Sequence, residues 1–182
     1  MVFNSYTFIV FVFCTFLIYY LFRKEKLQFS VLLLASLVFY AWSNISLVFL
    51  LISSLFINAH YSFKVFNQSK HLKQKRQYAW TGVIINLSLL CFFKYSGLIG
   101  NLFDTSDIGS FLISIPLPVG ISFYTFQGIS LILDLSLAKE HPKVLSYQVE
   151  TNYYKHLLKT ATFISFFPQL VAGPIMRSEE FI

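Results

Sequence analysis

From Leu27 to Phe63 the chain runs for 37 residues without an Asp, Glu, Lys or Arg. A helix crosses the roughly 30 Å hydrocarbon core of a bilayer with about 20 apolar residues. The run is therefore too long for one span and fits a hairpin of two. Its turn is expected at Ser43-Asn44-Ile45-Ser46, with Tyr40 and Trp42 beside it as interfacial aromatics. Four more uncharged runs flank it, at residues 1–22, 77–93, 108–133 and 160–176. Composition agrees: 56% of the side chains are apolar and 12% charged, where a soluble domain carries roughly 25% charged residues. The same figures exclude a disordered chain. Two cysteines build no disulfide framework, and no Cys–His spacing suggests zinc.

These runs predict an all-α polytopic membrane helix bundle, one domain over 1–182, with about six transmembrane segments near 2–22, 27–43, 45–63, 77–94, 116–137 and 155–176. The fifth segment is broken early by Gly109, Pro116, Pro118 and Gly120, so its regular helix is expected from near Pro118. The sixth contains Pro168 and Gly173-Pro174 and reads as kinked or partly re-entrant. Residues 95–107 read as an extracytoplasmic loop with an amphipathic turn.

Charge placement orients the bundle. If each run crosses once, segments 23–26, 64–76 and 139–159 share one side and hold twelve of the 14 basic residues. Only Lys94 and Arg177 fall opposite. Basic loops stay cytoplasmic, so the N-terminus is expected in the periplasm. Lys64 to Arg76 is better read as a topology determinant in contact with anionic lipid than as a nucleic-acid patch, because spans flank it. The N-terminal stretch lacks the positive leading region and the cleavage site of a secretory signal, and is expected to remain as an anchor helix.

Polar groups inside spans are functional candidates by default. At about 100° per residue, Gly120, Tyr124, Gln127, Ser130 and Asp134 fall within one arc of roughly 120°. Such a stripe either lines a tunnel for a polar substrate or joins neighbouring helices by hydrogen bonds. Pro168 and Gly173-Pro174, with Gln169 between them, mark either a packing kink or an unwound stretch beside a pocket. His60, His71, His141 and His156 read as solvated or snorkelling imidazoles, and Cys14 and Cys91 as inert packing residues. No triad order, phosphate loop or metal-ligand spacing is present.

Two stretches carry a family likeness. Leu117-Pro118-Val119-Gly120-Ile121-Ser122-Phe123-Tyr124-Thr125-Phe126-Gln127 and Phe166-Phe167-Pro168-Gln169-Leu170-Val171-Ala172-Gly173-Pro174-Ile175 resemble motifs in the N-terminal half of bacterial membrane-bound O-acyltransferases (MBOAT). Met1-Val2-Phe3-Asn4-Ser5, Val38-Phe39-Tyr40-Ala41-Trp42 and Phe92-Phe93-Lys94-Tyr95 are similar too. Gln169-Leu170-Val171-Ala172-Gly173 favours the alginate O-acetyltransferase branch over the teichoic-acid D-alanylation branch.

The resemblance implies a bacterial inner-membrane enzyme with a tunnel through its bundle. It implies an acetyl-CoA-like thioester donor on the cytoplasmic side and a polysaccharide hydroxyl as acceptor outside, with a periplasmic acetyltransferase partner. On that reading Gly120, Tyr124, Gln127, Ser130, Asp134, Pro168, Gln169, Gly173 and Pro174 line the tunnel. Such enzymes are well over twice as long, and their essential His lies in the C-terminal half. None of the four His here sits in that motif, so no catalytic residue is assigned. The chain is expected to be the front part of such an enzyme, from a split or truncated gene or a partial sequence, and inactive alone. A six-helix transporter, channel or accessory subunit is the alternative, although neither charged pairs nor an inverted repeat of broken helices supports it.

Overall fold

The computed structural model describes residues 5–67, 71–103, 107–137 and 152–172, and these form eight helices. They are α1 (Tyr6–Leu21), α2 (Glu25–Ser43), α3 (Ile45–Asn67), α4 (Leu72–Leu102), α5 (Asp107–Ser114), α6 (Ile121–Leu137), α7 (Tyr153–Ser165) and α8 (Phe167–Ala172). The chain is an all-α membrane helix bundle. By length and composition α2, α3 and α4 are sufficient to cross a membrane, and α1 and α6 are shorter apolar helices. At 1.5 Å per residue the 13 residues of α7 reach only about 20 Å.

The centre of the bundle is α3, which packs against α2, α4, α6 and α7. Its buried residues, Leu51, Ser54, Leu55, Asn58, Ala59, Ser62 and Val65, recur at spacings near three and four along one stripe. The opposite case is α1. It buries only Thr15 and leans on α2, while Ile9, Val10, Phe13 and Phe16 point outward. In water so apolar an outer face would be costly; against acyl chains it is not. Phe8 and Phe11 tie the helix down by ring contacts with Phe39 and Phe167.

Two sequence expectations meet the structure well. The long uncharged run folds as two helices, with Asn44 alone between them, and its side chain accepts from the Ser46 amide at 2.9 Å. The fifth run begins its long helix at Ile121, after Gly120 at φ 75°, where a side chain would be strained.

Other expectations need correction. Residues 95–102 are not loop: α4 continues past Lys94 because Ser96 and Gly100 are buried against α5 while Leu98 and Leu102 face outward. The basic stretch is mostly helical as well, since α3 runs to Asn67 and α4 starts at Leu72. Cys14 and Cys91 face outward instead of packing inside. Tyr40 is no interfacial anchor: it is 6% exposed, and its hydroxyl donates to the Val119 carbonyl at 3.1 Å.

The sixth segment is broken at Phe166, between α7 and α8. A continuous helix would drive the Pro168 ring into the carbonyl four residues back; starting a new helix puts Pro168 in a first turn, where its missing N–H is harmless. The Phe167 amide freed by the break donates to Ser36 Oγ of α2 at 3.2 Å, and Thr162 Oγ1 donates to the Phe29 carbonyl at 3.2 Å. An ion pair of 2.8 Å between Lys159 and Glu25 adds a third tie between these helices.

Candidate functional site

Polar side chains inside the bundle gather in three places, and they differ in how well each group is satisfied. The first lies between α3 and α4. Asn58 Nδ2 donates to Asn86 Oδ1 at 3.1 Å, and Asn86 Nδ2 donates back to Asn58 Oδ1 at 2.9 Å. The remaining N–H of each amide goes to a carbonyl one turn back, Ser54 and Gly82, both at 2.9 Å. Gly128 of α6 lies directly on this pair; a Cβ there would collide with the Asn58 carboxamide.

The second place joins α3 to α7. His156 is fully buried, with Nε2 at 2.8 Å from Ser62 Oγ and 3.4 Å from Thr160 Oγ1. The expected solvated imidazole is therefore wrong. Lys155 and Lys159 occupy the other faces of α7, while positions 156, 160 and 163 share the inward one.

The third place contains the sequence-predicted stripe. Tyr124 is 1% exposed and Gln127 is fully buried, both on the inward face of α6. Gln127 Nε2 donates to Gln169 Oε1 of α8 at 3.4 Å, which is long for such a bond. Gln127 Oε1 has no hydrogen-bond partner among the described residues. The Tyr124 hydroxyl lies beside the Tyr40 phenol. The break at Phe166 matters here, because it redirects the chain so that Gln169 faces α6.

The predicted site residues thus divide. Tyr124, Gln127 and Gln169 come together, with Gly120 at the head of the same helix. Ser130 and Asp134 are half-buried and interact with each other at 3.5 Å, further along α6. Pro168 is exposed and borders an apolar groove with Phe166, Phe16 and Leu32. Gly173 and Pro174 lie outside the described residues. Sequence reasoning missed Tyr40, Asn58, Asn86, Ser62 and His156 as interior groups. For Asn58, Ser62 and Asn86 the available signal was polar residues within the third and fourth predicted segments.

Comparison with curated proteins bears on what this interior serves. Over 97% of its length the chain is 31% identical to the probable alginate O-acetylase AlgI of Pseudomonas syringae, covering 33% of that protein. The AlgI of Pseudomonas aeruginosa is 29% identical over the whole chain, which covers 34% of it. The peptidoglycan O-acetyltransferase of Helicobacter pylori is 34% identical over 82% of the chain and 31% of its own length. The chain is thus similar to part of bacterial O-acetylases. The likeness includes both motif stretches and agrees with the alginate-type MBOAT branch inferred from them. The chain spans about a third of the length of the curated relatives it matches. No family model matches it, and no solved structure does.

Proposed function

We propose that these 182 residues form the leading part of a bacterial membrane O-acetyltransferase that moves an acetyl group from a cytoplasmic thioester to a polysaccharide hydroxyl outside the cell. The observation that carries the reading is the likeness, over the whole chain in one case and 82% of it in the other, to proteins named as O-acetylases of two different glycan polymers, alginate and peptidoglycan. In the reaction the acceptor oxygen attacks the acetyl carbonyl, the carbon–sulfur bond breaks, and the acceptor proton passes to a base while the thiol leaves. No residue here is assigned as that base. A correctly placed imidazole contributes roughly 10²–10⁴-fold, so the chain by itself is proposed to be inactive. In this reading its N-terminus is periplasmic, its basic helix ends are cytoplasmic, and a periplasmic acetyltransferase partner receives the acetyl group.

The role proposed for Tyr124, Gln127 and Gln169 is to line the passage. Buried polar groups in proteins are almost always paired, and those that are not call for an explanation. An amide oxygen without a hydrogen-bond partner among the described residues, one turn from a buried phenol on α6, supports a surface made to meet a polar substrate. Gly120, Ser130, Asp134, Pro168, Gly173 and Pro174 belong to the same proposed lining. The test is reconstitution. Membranes holding this chain alone, given acetyl-CoA and alginate or peptidoglycan, should yield no acetyl ester. Co-expression with the remaining two-thirds of the Pseudomonas aeruginosa relative, with its periplasmic acetyltransferase partner also present, should yield it. Steady ester formation by the chain alone, or none in any combination that assembles, would overturn the proposal.

A further inference from the structure

Tyr40 and Tyr124 fix the direction of a short chain of hydrogen bonds. Tyr40 belongs to α2, is buried, and gives its one hydroxyl proton to the Val119 carbonyl at 3.1 Å. A phenol has a single proton to donate, so toward the neighbouring Tyr124 hydroxyl the Tyr40 oxygen can only accept. Tyr124 therefore directs its proton at Tyr40, and what it keeps for any other molecule is a lone pair.

One turn further along the same face, Gln127 is in the same condition. Its Nε2 donates to Gln169 Oε1, and its Oε1 has no hydrogen-bond partner among the described residues. This buried edge of α6 is thus made of acceptors, and its complement is a hydrogen-bond donor.

The two molecules that meet in an acetyl transfer differ in this respect. The acetyl thioester presents a carbonyl oxygen, a sulfur and a methyl group, none of them a donor. The acetyl acceptor presents O–H groups. An edge of acceptors matches the second and sets lone pair against lone pair with the first. Height along the helix agrees. At 1.5 Å per residue, Tyr124 and Gln127 lie about 5 and 9 Å from Ile121, in the leading half of the 17-residue α6. In the orientation proposed above that end is extracytoplasmic, the side from which the acceptor comes.

We propose that Tyr124 and Gln127 form a subsite for a hydroxyl of the acetyl acceptor and not for the thioester. Tyr40 is the positioning residue that holds the Tyr124 proton away from that subsite. The wall over Gln127 is the six-residue α8, joined to it by the 3.4 Å bond of Gln169. A small outward shift of α8 makes room for one hydroxyl, a group about the size of a water molecule. The inference rests on the acyltransferase reading and adds which of the two substrates this edge serves.

For the test, the chain assembled with the remaining two-thirds of the Pseudomonas aeruginosa relative is placed in nanodiscs, which leave both faces open. Initial rates of ester formation are measured at varied acetyl-CoA and, separately, at varied acceptor, the periplasmic partner saturated with alginate. Tyr124→Phe and Gln127→Leu should each raise the Michaelis constant for the acceptor roughly three- to tenfold, corresponding to one hydrogen bond, and leave that for acetyl-CoA unchanged. Tyr40→Phe lets the Tyr124 proton turn toward the subsite and should raise the acceptor constant alone, by roughly threefold. A rise confined to acetyl-CoA, an equal rise for both, or no change in either would overturn the proposal. A Tyr40→Phe enzyme equal to its parent would overturn the positioning role. Absence of ester from the unsubstituted assembly would instead overturn the acyltransferase reading, and this inference with it.

Discussion

Two amide pairs lie inside this bundle, and they are opposites. Asn58 and Asn86 exchange two hydrogen bonds and direct every remaining N–H to a carbonyl one turn back, so neither amide has anything left to offer. Gln127 and Gln169 share one long bond, and the Gln127 oxygen has no partner among the described residues. The first pair is complete without any ligand. The second is not, and a buried group left without a partner is a cost to the fold. The contrast separates interhelical adhesion from a surface awaiting something polar, although both are amides buried among apolar helices.

The largest expected effect falls on the complete pair. Gly128→Ala would force a methyl into the Asn58 carboxamide, and α6 would have to withdraw from α3 or the Asn58–Asn86 bonds would break. Overpacking costs about 1–3 kcal/mol, and the broken bonds add to it, so a loss of about 3 kcal/mol is expected in unfolding by detergent titration. A wild-type midpoint for this variant would mean that the three helices are not packed as described. Asn58→Ala comes next, at about 1–2 kcal/mol, the upper range for hydrogen bonds between membrane helices. A double-mutant cycle with Asn86→Ala should recover most of that as coupling energy.

How far could these pairs be read from the sequence? The helices themselves could, because a bilayer demands uncharged runs and the chain supplies them. Helix ends were less legible: α4 passes Lys94 and starts before Arg76, since a helix needs no change of direction where charge begins, and lysine stems can reach the interface from within it. The arc from Gly120 to Asp134 was visible as a stripe, but its division was not. Tyr124 and Gln127 are separated from Ser130 and Asp134 only by the path of α8, which depends on the break at Phe166. His156 was misread because Lys155 and Lys159 dominate its local sequence. Its burial follows from a partner, Ser62, that lies 94 positions away.

That second interior cluster gives an intermediate test. Ser62→Ala removes the hydroxyl at 2.8 Å from His156 Nε2 and leaves a fully buried imidazole with Thr160 as its closest side-chain partner. A loss of about 1 kcal/mol is expected, smaller than for Asn58→Ala because only one bond is lost. His156→Gln, which keeps an N–H at the end of the side chain, should recover part of the stability lost in His156→Ala. If alanine and glutamine at 156 are equally stable, the Ser62 contact is not holding α3 to α7.

The smallest expected effect on stability is the most informative. Gln127→Leu removes one long hydrogen bond, worth at most a few tenths of a kcal/mol inside a membrane bundle, and removes an unsatisfied buried oxygen at the same time. Leucine has nearly the same length and suits the apolar core that α6 joins. Unfolding in detergent should therefore shift by less than about 0.5 kcal/mol, in either direction. In the reconstituted enzyme the same change should suppress acetyl transfer to the polymer, and Tyr124→Phe should act in the same sense. A loss of 1 kcal/mol or more for Gln127→Leu with full transfer activity would make the glutamine pair a second adhesive, like the asparagines, and remove the distinction between them. Intact stability with lost transfer would assign the Gln127 amide to the path of acetyl transfer and not to the packing of α6 on α8.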